Sequence, residues 1–251
     1  MFGKWKRSVV VIVVSVVGMM QGVFAAPEPQ NVSLKAADGV AIQGKFYQAD
    51  QPKALILLFH QAGSNYAEYS TIAPRLAQEG FSALAIDQRS GGTLFGRSNE
   101  TVKALGHSTT YIDAEPDLEA ALAWAATQNL PVAIWGSSYS SALVFLVAAK
   151  HPNEVKAVLS FSPGEYLGKP SLVRDAAAKV NVPIYITSSK DQEEINSAAA
   201  ILKASPAKQK TQFIPKVGGV HGSSTLRTDR NLKGNQENWT AVLVFLKDIF
   251  K

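Results

Sequence analysis

Leu130-Pro131-Val132-Ala133-Ile134-Trp135-Gly136-Ser137-Ser138-Tyr139-Ser140 is an apolar run that stops at a cluster of small residues and passes at once into a helical pattern. A strand that turns sharply into a helix at a serine reads as a nucleophile elbow, here centred on Ser138. Such a turn holds the serine in strained backbone, so the residues two before and two after it must be small for strand and helix to pass. Gly136 and Ser140 meet this demand, the second with serine where glycine is preferred. A helix N-cap would also account for a serine at this point. Context favours the nucleophile: a strand precedes, a helix follows, and an acid and a histidine lie downstream in the order Ser, Asp, His.

Working outward, short apolar runs alternate with amphipathic ones, with no internal repeat and no low-complexity linker. Asn31–Lys35 and Gly39–Tyr47 alternate apolar and polar residues around Asp38-Gly39, a hairpin signal. Ala54–Phe59 is then continuously apolar, as in strands covered on both faces of a parallel sheet, and Phe81–Ile86, Val132–Trp135, Val155–Phe161 and Val182–Ile186 repeat it. Helical segments are expected near Tyr66–Gln78, Glu115–Thr127, Ser138–Lys150 and Glu193–Lys203. A last strand near Gln209–Ile214 and a last helix near Gln236–Phe250 close the chain. The pattern predicts an α/β fold, a mostly parallel, doubly wound sheet of about eight strands with an N-terminal antiparallel hairpin and ligands at the carboxyl ends of the strands.

The polar clusters do follow the apolar runs. His60-Gln61-Ala62-Gly63-Ser64, Asp87-Gln88-Arg89-Ser90-Gly91-Gly92, Ser188-Ser189-Lys190-Asp191 and Gly218-Gly219-Val220-His221-Gly222 each sit where a strand ends. With these residues in place the chain resembles the α/β-hydrolase superfamily, and within it the dienelactone-hydrolase-like and small carboxylesterase members. Dienelactone hydrolases proper use a cysteine nucleophile, and this chain has no cysteine, so their substrate class is not transferred.

The resemblance implies Ser138 as nucleophile, His221 as general base and Asp191 as triad acid. It places the oxyanion hole at the backbone N–H groups of Tyr139 and Ala62, with Gln61 as the alternative to Ala62. Glu165, after Val155–Phe161, is the alternative acid, because some superfamily members take the carboxylate from that strand end. Glu193 and Glu194 belong to the first turn of the next helix, where acidic side chains meet its positive end, and this makes them weak candidates for the triad. Asp87 and Arg89 read as an ion pair or loop brace. His60 belongs to the structure of the oxyanion loop and His151 to a helix end; His107 is a loop residue in a long Gly/Ser/Thr-rich segment from Ser90 to Thr110. The implied enzyme is a serine hydrolase acting on small carboxylic esters through an acyl-enzyme. The alternatives are a peptidase or thioesterase with the same triad, or a non-catalytic binding protein keeping the fold. The short connection between Phe161 and Val182 leaves room for a small lid at most.

Composition is consistent with this reading. Of 251 residues 46% are hydrophobic and 18% charged, enough for one globular domain over 26–251. Residues 1–25 read as a secretory signal peptide: Lys4, Lys6 and Arg7, an apolar run from Ser8 to Met20, then Val23-Phe24-Ala25. That run is too short to span a bilayer, so a secreted or periplasmic protein without a stable membrane span is expected. The formal charge is +5, and removing the three basic residues of 1–25 leaves +2. No basic stripe with interleaved aromatics remains to support nucleic-acid binding. Phosphate loop, dinucleotide fingerprint and zinc-helix motifs are missing, and four scattered histidines without cysteine argue against structural zinc, so no metal and no cofactor are expected.

Overall fold

A computed structural model describes residues 1–3 and 28–251. Residues 4–25 of the expected signal peptide lie outside the described residues. The hairpin forms from β1 (Gln30–Lys35) and β2 (Ala41–Tyr47), paired antiparallel. Then come β3 (Ala54–Phe59), α1 (Ile72–Gln78), β4 (Phe81–Ile86), α2 (Glu100–Leu105), α3 (Glu115–Ala126), β5 (Val132–Ser137) and α4 (Tyr139–Lys150). The chain continues with β6 (Val155–Phe161), α5 (Leu172–Ala177), β7 (Ile184–Thr187), α6 (Gln192–Ala204), β8 (Lys210–Phe213) and α7 (Asn235–Ile249). The eight strands form one sheet in the order β1-β2-β4-β3-β5-β6-β7-β8, parallel from β4 onward. This is the mostly parallel, doubly wound α/β sheet with an antiparallel N-terminal hairpin that the alternation of apolar runs and helical segments predicts.

The continuous apolar runs exist because both faces of the sheet are covered. Every residue of β3 is buried: Leu55, Leu57 and Phe59 join the core beneath α3, α4, α5 and α6, while Ala54, Ile56 and Leu58 join the core beneath α1 and α7. The period of two along a strand divides the same run between two cores. Helix α4 starts beneath the sheet's centre and is buried from Tyr139 to Ala148, so the turn that launches it cannot shift without disturbing the larger core.

Three expectations are refined. The helix expected over 66–78 is a 3₁₀ turn at Tyr66–Tyr69 followed by α1, whose first turn holds Pro74; a proline lacks the N–H that a continuous helix would need there. Strand β7 starts after Pro183 because proline cannot donate to the ladder. The segment 90–110 carries α2, capped by the Asn99 side chain on Val102 N–H and closed by left-handed Gly106. Asp87 and Arg89 brace this region without pairing to each other. Asp87 accepts from Arg97, Tyr66 N–H and Glu100 N–H, and Arg89 reaches Asp117 and Asp38. Between Phe161 and Val182 only α5 forms, and it packs into the core beside α4.

Leu57 is wholly buried in the middle of β3. Leu57→Ala is expected to cost about 2–5 kcal/mol through lost transfer energy and a residual cavity, read as a lower urea midpoint at unchanged slope. A cost under about 1 kcal/mol would contradict the tight packing described for this face.

Candidate active site

At the end of β5 the chain crosses itself. A Cβ on Gly136 would lie 2.1 Å from the Ser140 carbonyl oxygen, so only glycine fits where the strand passes under the first turn of α4. Ser138 takes up the reversal with φ 56° and ψ −121°, a conformation costly for a non-glycine residue. Its N–H is held by the Phe161 carbonyl at 2.8 Å. The side chain is half-buried at the head of the helix. Ser140 is more than a small residue: its hydroxyl donates to the His60 carbonyl at 2.6 Å and accepts from Gln88 Nε2 at 2.7 Å. Where glycine would only permit the crossing, this serine also ties the elbow to the loop after β3.

Two residues from distant loops meet Ser138. Its Oγ–H donates to His221 Nε2 at 2.8 Å, and His221 Nδ1–H donates to Glu194 Oε1 at 2.8 Å. The carboxylate fixes the imidazole tautomer and leaves Nε2 free to accept. Glu194 also accepts the Ser189 N–H at 3.0 Å through Oε2. Burial pushes its carboxyl up, but His221, the Ser189 N–H and the Ser162 hydroxyl outweigh burial and hold it at about 2. The carboxylate is therefore ionised throughout the neutral range.

This geometry corrects the acid. Asp191 does not reach His221; it is the N-cap of α6, accepting the Glu193 and Glu194 N–H groups at 2.9 and 3.2 Å. A strand-end aspartate and a carboxylate three residues later differ by almost one helical turn, and the turn decides which faces the histidine. The alternative Glu165 is also committed elsewhere, accepting Val173 N–H, Arg174 N–H and Arg174 Nε–H around the start of α5. Glu194 does sit in the first turn of α6, but that place does not set it aside: it is the carboxylate that pairs with His221, contrary to the sequence expectation. The signal that could have found it is the N-cap preference of Asp191, which spends that aspartate on the first amides of α6 and leaves the carboxylates of the first turn as the candidates.

Of the two oxyanion alternatives after β3, the Gln61 N–H is already taken, donating to Glu68 Oε2 at 2.7 Å. Among the described residues no acceptor takes the N–H of Ala62 or of Tyr139. Tyr139 is the first residue of α4, so its amide points out of the positive end of a helix. His60 is buried behind this loop; Gln88 N–H donates to its Nε2 at 3.0 Å and its Nδ1 meets the Gln61 carbonyl at 2.8 Å. Desolvation depresses its basicity, so it serves as a neutral brace. His107 is exposed, and His151 sits at the end of α4 against Glu154.

A cleft of roughly 380 Å³ opens beside His221, lined by Gln61, Leu94, Phe95, Val220, Ser224 and Arg230. Its lining is mixed, with Leu94, Phe95 and Val220 apolar beside polar Gln61, His221 and Ser224, and Arg230 lies over the Phe95 ring at 5.2 Å. Among the described residues no group of three or more His, Cys, Asp or Glu side chains is placed to hold a metal ion.

Comparison with known proteins agrees with the fold. Residues 50–197 match the family described as serine aminopeptidase, S33. The chain is similar to the dienelactone hydrolase of Anabaena variabilis (TM-score 0.65, 21% identity, covering 90% of this chain and 98% of that one). It is similar also to an esterase of Pyrococcus furiosus (0.68, 16%, 92% and 96%) and to a carboxyl esterase of Bacillus coagulans (0.66, 13%, 89% and 99%). No curated protein sequence matches the chain.

The crossing at the elbow gives an asymmetric expectation. Gly136→Ala is expected to destabilise by more than about 3 kcal/mol or to prevent folding, because backbone opposes the added Cβ. Ser140→Gly is expected to fold and to lose about 1–3 kcal/mol with its buried hydrogen bonds. Thermal melts of both decide the matter, and equal costs would refute the roles given to the two positions.

Proposed function

We propose that this chain, which belongs to the serine aminopeptidase S33 family and is thereby a hydrolase, cleaves carboxylic esters of small acids through an acyl-enzyme on Ser138. The observation that carries the reading is the continuous hydrogen-bonded line Ser138–His221–Glu194, both links 2.8 Å, beside the undonated amides of Tyr139 at the head of α4 and Ala62 in the loop after β3. A serine hydroxyl is a weak nucleophile at neutral pH until a neutral imidazole can take its proton.

The chemistry follows from the atoms present. Ser138 Oγ attacks the ester carbonyl as its proton passes to His221 Nε2, and the Glu194 carboxylate stabilises the imidazolium. The oxyanion of the tetrahedral intermediate is received by the Tyr139 and Ala62 N–H groups, each such donor contributing about 3–4 kcal/mol in the transition state. His221 returns the proton to the departing alkoxide, leaving the acyl group on Ser138. Water then gives a proton to His221 and attacks the acyl carbonyl, and the acid leaves as Ser138 Oγ recovers its proton.

The cleft favours an ester over an aminopeptide. A free α-ammonium group needs a nearby carboxylate, and among the described residues no Asp or Glu side chain lines the cleft. The cationic side chain lining it is Arg230, which would repel an ammonium. Roughly 380 Å³ suits a small substrate, and no lid crosses the cleft from the connection between Phe161 and Val182.

We further propose export to the periplasm or the medium, supported by the signal-like sequence of residues 1–25. Among the described residues no helix is long and apolar enough to cross a membrane.

Hydrolysis of p-nitrophenyl acetate and butyrate, with fluorophosphonate labelling, tests the reading. Ser138→Ala is expected to abolish both, and Glu194→Gln to lower kcat by about 10²–10⁴-fold. Asp191→Ala should lose at most a few-fold in kcat and about 0.5–2 kcal/mol of stability, as the loss of a helix cap requires. A larger catalytic loss in Asp191→Ala than in Glu194→Gln would overturn the assignment of the acid, and a folded, unreactive wild type would overturn the hydrolase mechanism.

A further inference from the structure

Behind Ser138 lies a carboxylate that the mechanism above does not use. Glu68, in the 3₁₀ turn at Tyr66–Tyr69, is completely buried. Its Oε2 accepts the Gln61 N–H at 2.7 Å, one residue before the Ala62 amide. Its Oε1 accepts the hydroxyl of Ser137, the residue before Ser138, at 2.6 Å. The Ser137 oxygen in turn accepts the Ser223 N–H at 2.9 Å, two residues after His221. Between them, Gly222 has φ 66° and a Cβ there would lie 2.4 Å from Ser137 Oγ, so the histidine loop is pressed directly onto this serine. One carboxylate thus joins the oxyanion loop, the elbow and the histidine loop.

Resting on the hydrolase reading, we propose that Glu68 is a positioning residue, and that the ester-cleaving geometry requires it as the carboxylate. Both of its oxygens face donors. A proton on Oε1 would point at Ser137 Oγ, which already accepts from Ser223, and would leave the Ser137 hydrogen without its acceptor; a proton on Oε2 would oppose the Gln61 N–H. Protonation therefore loosens the amide next to Ala62 and the support of His221 together, though Glu68 touches neither substrate nor reacting atoms.

The surroundings make that ionisation accessible. The titratable and charged groups facing the carboxyl are Arg227 and His221 from the loops after β8, Tyr69 from its own turn and Tyr139 from α4. Arg227 is held close by donating to the Glu68 and Ala67 carbonyls at 2.8 and 3.1 Å. Burial pushes the Glu68 carboxyl up to about 7, against the pull of Ser137, the Gln61 N–H, Arg227 and His221. A carboxyl raised in the folded state takes up a proton on folding between about pH 4.5 and 7. Its contribution to stability is thus present at low pH and lost as pH rises through 7, while the activity it supports moves the opposite way.

The test is the pH dependence of kcat/KM for p-nitrophenyl acetate, with kcat and KM resolved, over the range in which circular dichroism shows the full chain folded. Two groups, His221 and Glu68, must lose protons, so the wild-type acid limb is expected to approach a slope of two. Glu68→Gln is expected to lower kcat about 10–100-fold with KM within about two-fold and to reduce that slope to one. In urea unfolding, the wild type should lose stability relative to this variant as pH rises from 5 to 8. Ser137→Ala keeps the carboxylate and removes its bridge to Ser223; about ten-fold lower kcat with the slope of two retained is expected, which serves if Glu68→Gln does not fold. A wild-type slope of one, or full kcat in either variant, overturns the proposal. Wild type that is not labelled at Ser138 by fluorophosphonate would instead overturn the hydrolase reading on which it rests.

Discussion

The close passage of β5 beneath the first turn of α4 is the contact on which the rest of the site depends. It needs a glycine at 136, where any Cβ would strike the Ser140 carbonyl, and it forces Ser138 into a conformation with φ 56°. The strain is held because the whole inner face of α4 is anchored in the larger core, from Tyr139 to Ala148. The same passage turns the Tyr139 amide outward at the positive end of a helix and lifts the Ser138 hydroxyl to within 2.8 Å of an imidazole. Packing, strain and the placing of the serine beside an imidazole are here consequences of one crossing of backbone.

Around that crossing the protein uses buried polar side chains where many folds would use glycine and apolar packing. Ser140 binds the His60 carbonyl, Gln88 bridges Tyr139 and Ser140, and Ser137 links Glu68 to the histidine loop. Asn65 collects the carbonyls of Gly92, Leu94 and Arg97, which fixes the segment carrying Leu94 and Phe95 along the cleft. Hydrogen bonds are directional, so such a network specifies loop positions more sharply than apolar contact does. It also makes the site sensitive to the protonation of its members, Glu68 foremost.

The architecture was legible in the sequence because it is written in runs: a strand buried on both faces must be continuously apolar, and Ala54–Phe59, Phe81–Ile86 and Val155–Phe161 are strands with the bounds their apolar runs suggest. Ser138 was legible because it sits where an apolar run ends, and His221 because it lies in the Gly-rich loop that follows the last strand. The acid was not. Asp191 occupies the strand end, but its carboxylate is spent on the amides of α6, and the side chain that reaches His221 comes from the following turn. Strand-end reasoning locates a loop, while the choice among carboxylates three residues apart is made by helix phase and by which amides need a cap. Glu68 was invisible on the same grounds: in Tyr66-Ala67-Glu68-Tyr69 it reads as a surface residue of a helix, and only tertiary packing buries it.

The central claim is that Ser138 carries the acyl group between the two halves of the reaction. Mixing the protein with p-nitrophenyl butyrate, quenching in acid within milliseconds and mapping peptides by mass spectrometry tests it directly. A butyryl group on the peptide containing Ser138, formed with a burst of p-nitrophenol and lost at the steady-state rate, is the predicted result. Turnover that proceeds with Ser138 unmodified at every quench time and with no burst would contradict it.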